Sequence, residues 1–69
     1  MNPKKALLEA VRIVGSQSEL ARRCGIRQPA VAQWIASGRV PAERAIEVER
    51  MTQAQVTRYD LRPDLYPRE

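Results

Sequence analysis

The sequence predicts an all-α fold built from four to five short helices. Apolar residues recur in several stretches at three- and four-residue spacing, which gathers them on one face of a helix. Asn2, Gly15, Ser16, Gly25, Gly38 and Pro41 stand at the joints, where capping and stopping residues belong. After Pro41 no stretch alternates β-branched residues as a half-buried strand would.

Asn2 suits the cap of a first helix, and Pro3 its first position, where a missing N–H removes no hydrogen bond. Leu7, Val11 and Val14 form the inward stripe, widened by Leu8 and Ala10, and Gly15 ends the helix. Ser16 opens the second helix, with Glu19 placed to complete a capping box. Leu20, Ala21 and Cys24 share its inner face, and Gly25 suits the left-handed residue that stops it. Ile26 plugs the corner before a third helix that turns Val31, Trp34 and Ile35 inward. Residues 17–37 therefore form a helix-turn-helix, whose second helix has the form of one that enters a DNA major groove. Either Arg27 or Gln28 caps that helix, because Pro29 disfavours helical geometry at Gln28 yet is welcome in a first turn.

Gly38 closes the third helix, and Pro41 opens a fourth that runs to Met51 or Thr52. Ala42, Ala45, Ile46, Val48 and Met51 are its expected inward residues. Glu43 in its first turn and Arg50 in its last complement the helix dipole. Residues 53–56 read as a loop. In the closing segment, 57–69, Thr57 and Asp60 have capping-box spacing, which predicts a turn or two of helix through Leu61. Leu61 and Leu65 are expected to fold back on the core. Tyr59 and Tyr66 either do the same or meet a second subunit.

The outer side of the third helix carries the functional signal. Gln28, Pro29, Ala32, Gln33 and Ala36 fall away from its apolar stripe. A glutamine amide pairs bidentately with the N6/N7 edge of adenine, and Ala and Pro permit close approach to base edges and thymine methyls. An ordinary surface helix would carry Glu and Lys on this side instead.

Sixty-nine residues allow one domain, spanning 1–69. A chain this size buries only about 60% of its unfolded surface, so each apolar residue matters. Phe is absent and Trp34 is the only indole, so aliphatic side chains must build the core around it. The net charge is +4, unevenly spread: residues 1–40 hold seven basic and two acidic side chains, and 41–69 hold five and six. Positive charge thus travels with the helix-turn-helix, as phosphate binding requires. A single cysteine forms no internal disulfide, and Cys24 reads as a small buried hydrophobe. With no signal-peptide core and no bilayer-length apolar run, a soluble cytoplasmic protein without membrane contact is expected. The chain has no His, no Gly-rich phosphate loop and no clustered carboxylates. It is therefore expected to have no catalytic residues, no metal ligands and no cofactor.

The stretch Gly15-Ser16-Gln17-Ser18-Glu19-Leu20-Ala21-Arg22, with Gly25-Ile26, Gln28-Pro29-Ala30-Val31 and Trp34, resembles the helix-turn-helix of lambdoid phage Cro and repressor proteins. Gly38-Arg39-Val40-Pro41-Ala42-Glu43-Arg44, Glu49 and Leu61-Arg62-Pro63-Asp64-Leu65-Tyr66-Pro67 extend the likeness over nearly the whole chain, to the Cro-like group that includes YdaS-type antitoxins. The resemblance implies a lambda-repressor-like fold and a sequence-specific repressor of double-stranded DNA. It also implies a weak dimer, formed at least on DNA, on a palindromic operator. Base-reading positions of the family fall on Gln28, Pro29 and Gln33, with Arg27 beside them. Its phosphate-contacting positions fall on Gln17 and around 39–44. Phosphate contacts are accordingly expected from Ser16, Gln17, Arg39, Arg44, Lys4 and Lys5. Two departures stand out: Arg27 replaces the usual Ser or Thr, and Gln53-Ala54-Gln55 occupies a loop that is often Gly-rich. Some Cro relatives fold this half as a β-hairpin, which the helical spacing after Pro41 argues against. The competing expectation is an antitoxin-like regulator acting mainly through a protein partner.

Overall fold

Among the described residues five helices follow one another: α1 (Pro3–Val14), α2 (Gln17–Cys24), α3 (Gln28–Ser37), α4 (Ala42–Met51) and α5 (Arg58–Leu61). The computed structural model describes residues 2–67, and no strand occurs among them. The part of the closing segment at 68–69 lies outside the described residues.

The local signals explain the boundaries. Asn2 Oδ1 accepts the Lys5 N–H at 2.8 Å, and Pro3 takes the first helical position of α1. Ser16 Oγ accepts the Glu19 N–H at 3.0 Å, so the expected cap of α2 is present. The reciprocal arm is not: the Glu19 carboxylate turns to the guanidinium groups of Arg22 and Arg23, which outcompete a neutral amide for a charged acceptor. Gly25 ends α2 at φ 72° and Gly38 ends α3 at φ 87°, both in the left-handed region that a Cβ makes costly. The cap of α3 is Arg27, in extended geometry and with no side-chain hydrogen bond to the helix. Thr57 and Asp60 form the expected capping box of α5.

The core is assembled from one stripe per helix. Leu7, Leu20, Val31, Val48 and Leu61 are fully buried, and Trp34 is 8% exposed among them. α2 packs on α3, while α5 packs against both α1 and α4. Three expectations about side-chain direction need correction. Leu8 is 43% exposed, because Ala6, Leu7, Ala10 and Val14 already set the buried face of α1 and Leu8 lies about 100° around it. Ala42 is exposed at the start of α4, ahead of the turn that meets the core. Leu65 is 46% exposed, and Tyr66 packs on the core in its place.

Two connecting residues are core members that periodicity does not reveal, Val40 and Val56, both fully buried. Val56 is drawn in by Thr52, whose buried hydroxyl accepts the Val56 N–H at 3.1 Å and donates to the Glu49 carbonyl at 3.0 Å. The loop between them carries Gln53 at φ 54° and Ala54 at φ 64°. Glycine would suit both backbones.

Candidate nucleic-acid interface

Burial of Val31 and Trp34 against the core turns the opposite side of α3 outward. Gln28, Pro29, Ala32, Gln33 and Ala36 are all exposed there, as is Arg27 at the cap. The small side chains leave the two amides as the tallest polar groups on this face. Gln28 is tied back to the first turn of α2: its Oε1 accepts a hydrogen bond from the Ser18 hydroxyl at 2.9 Å.

Cations surround the face unevenly. Lys4 and Lys5 are exposed on α1, and Lys4 Cβ lies 4.0 Å from where a Cβ on Gly38 would be. Lys4 therefore stands beside Gly38 at the C-terminal end of α3, and Arg39 is the next residue along the chain from that glycine. The Arg39 side chain is 59% exposed, and its guanidinium comes within 3.7 Å of the Asp64 carboxylate. Arg44 is different. It is half-buried, donating to the Cys24 carbonyl at 3.2 Å and to Glu47 at 2.9 Å, so it caps the end of α2 from α4. At the opposite end of α2, Ser16 uses its oxygen as a cap and keeps its O–H proton for an outside acceptor. The half-buried Gln17 follows at the helix N-terminus, where amide donors precede the first intrahelical bond. Lys4 is thus placed beside the turn that carries Arg39, whereas Arg44 is engaged elsewhere.

Sequence reasoning missed the support beneath Arg39. Arg62 donates to the Val40 carbonyl at 3.0 Å and grips Asp64 through Nε and Nη2 at 3.0 and 2.8 Å. That pairing, more than any other contact, lowers the Asp64 carboxyl to about 2. The closing segment thereby fixes the turn that presents Arg39. A signal was available in Arg62-Pro63-Asp64, where two opposite charges flank a stiff proline. Cys24 is 7% exposed, and burial pushes its thiol above the ordinary value, as suits a packing residue. No group of three or more potential metal ligands occurs among the described residues. No helix among them is long and apolar enough to cross a membrane.

Against this geometry, the family model described as "Bacterial toxin YdaS" matches residues 7–69. The chain belongs to that family. The description names a toxin, where the sequence resemblance pointed to antitoxins. The chain is 45% identical over 58 residues to "Putative transcriptional regulator YdaS" of Escherichia coli strain K12. That match takes in 83% of this chain and 59% of the relative, so the chain spans about three-fifths of the relative's length. Its fold is that of the Cro protein from prophage element Xfaso 1 in Xylella fastidiosa strain Ann-1, with a TM-score of 0.89. The two are 46% identical, over 99% of this chain and all of the other. The chain has the helix-turn-helix arrangement of a Cro-like fold, and no β-hairpin occurs among its described residues.

Proposed function

We propose that the chain is a single-domain transcriptional repressor that binds double-stranded DNA with α3 in the major groove. The observation that carries this reading is the outer face of α3: exposed, uncharged and slim, with two glutamine amides and cations at its margins. Gln28, Pro29 and Gln33 read base edges, with Arg27 beside them. Lys4, Lys5, Arg39, Ser16 and Gln17 set register on the phosphates, and Arg44 serves mainly to hold α2 and α4 together. The molecule measures 34 × 23 × 19 Å. One copy therefore reaches about one turn of duplex, roughly 34 Å, and a palindrome calls for two. Repression follows from occupying a promoter in the cytoplasm, and no catalytic step or cofactor is assigned.

The test is selection from a random duplex library at several salt concentrations. The reading expects an enriched, two-fold symmetric motif and an affinity that falls steeply with salt. Equal recovery of all duplexes would overturn sequence-specific readout.

A second reading, a regulator acting chiefly on a protein partner, draws on the family's toxin name and on exposed Leu8, Tyr59 and Leu65. It expects protein capture to survive substitution of the outer face of α3. The DNA reading expects regulation to be lost with that face.

A further inference from the structure

We infer that Ser18 is a specificity-determining positioning residue: from α2 it holds the Gln28 amide in the orientation that reads a base. The inference rests on the DNA reading above and deepens it. Gln28 begins α3, immediately after a cap residue that makes no side-chain bond to the helix. Among the described residues, its long side chain makes no hydrogen bond within its own helix. Gln28 and its neighbours Arg27 and Pro29 are exposed, so packing does not fix it either. The hydrogen bond that holds it among the described residues crosses from the neighbouring helix, Ser18 Oγ to Gln28 Oε1 at 2.9 Å.

The chemistry of the pair is directional. Ser18 donates its single proton to Oε1, and that oxygen keeps a second lone pair. Nε2 keeps both of its protons. The amide therefore presents one acceptor and two donors outward, enough for the N6–H and N7 of adenine at once. Ser18 lies in the first turn of α2, and α2 and α3 are rigidly packed through Leu20, Ala21, Val31 and Trp34. The hydroxyl is consequently held at a fixed place relative to α3. Without it, Gln28 must be immobilised when it meets a base, at a cost that falls on the read sequence alone. Ordering one such side chain is worth about a 2- to 10-fold change in binding.

The experiment compares base preference at every operator position for wild type, Ser18→Ala, Ser18→Thr, Gln28→Ala and the Ser18→Ala/Gln28→Ala double variant. Circular dichroism verifies folding of each. Ser18→Ala is expected to lower preference by about 2- to 10-fold at the base pair that Gln28→Ala also affects. It should leave random-duplex affinity and the salt slope unchanged. Ser18→Thr should restore the preference, and the double variant should match Gln28→Ala. If Gln28→Ala shifts one position and Ser18→Ala leaves it untouched, the inference fails while Gln28 stands as a reader. If Ser18→Ala weakens all duplexes equally, Ser18 is a phosphate contact and the inference fails. If Gln28→Ala changes no position, both the inference and the Gln28 assignment fail.

Discussion

Removing the charge of Glu49 should unseat the closing segment, and with it the support beneath Arg39. Its side chain is 17% exposed and accepts three hydrogen bonds from one residue. Oε1 takes the backbone N–H of Arg58 at 2.6 Å, an otherwise unsatisfied donor in the first turn of α5, and Arg58 Nε at 3.3 Å. Oε2 takes Nη2 at 3.1 Å, while the Tyr66 ring centroid lies 5.8 Å from the same guanidinium. Glu49→Gln retains one acceptor for the backbone N–H and turns an NH2 group toward a guanidinium that has nothing to accept. Hydrogen bonds to charged groups contribute about 1.5–3 kcal/mol, and this site is shielded enough for that range to apply. In a domain of 60–100 residues each kcal/mol moves Tm by about 4–8 °C, so a fall of roughly 6–24 °C is expected at pH 7.

Acid supplies a second readout. Hydrogen bonding from Arg58 lowers the Glu49 carboxyl below its ordinary value in the folded state. Its contribution is therefore complete above the unfolded value of about 4.3 and is lost as pH falls through the lower folded value. Melts followed by circular dichroism between pH 7 and pH 2 should show the wild type losing its advantage over Glu49→Gln across that interval. An unchanged Tm at pH 7, or parallel pH curves for the two proteins, would refute the reasoning.

Trp34→Ala should cost about 3–5 kcal/mol by emptying the centre of a small core, read as the loss of a cooperative melt near room temperature. Ala54→Gly should raise Tm by a few degrees: relief at φ 64° is worth about 1–2 kcal/mol, and added unfolded-state entropy offsets about 0.4–1 kcal/mol of it. Arg39→Ala should weaken all duplexes alike and reduce the salt slope by about 1, measured by fluorescence anisotropy. Gln33→Ala should relax base preference by about 1–3 kcal/mol at one position, read from library selection, with Tm unaltered.

Much of the fold was legible because it depends on local rules. Asn2, Ser16, Thr57, Gly25 and Gly38 each do at their helix ends what their chemistry suggests. The exposed face of α3 follows from the burial of Val31 and Trp34, and periodicity reports such a pattern well. What stayed hidden depends on distance in space. Val40 and Val56 are buried by connections whose direction no helical period encodes. Leu65 and Tyr66 are adjacent, and the one that packs inward is Tyr66, whose ring centroid lies 5.8 Å from the Arg58 guanidinium. Arg44 looked like its neighbour Arg39 in sequence. The crossing of α4 past the end of α2 gave it a carbonyl to cap. The Ser18–Gln28 bond joins residues ten positions apart and appears only once the two helices are packed.

Backbone amide chemical-shift mapping by NMR, during titration with a selected duplex, bears most directly on how this chain meets DNA. The largest changes should fall on Gln28, Ala32, Gln33 and Ala36, with smaller ones at Ser16, Gln17 and Arg39. Changes centred on α4 and α5, with α3 unmoved, would contradict the account.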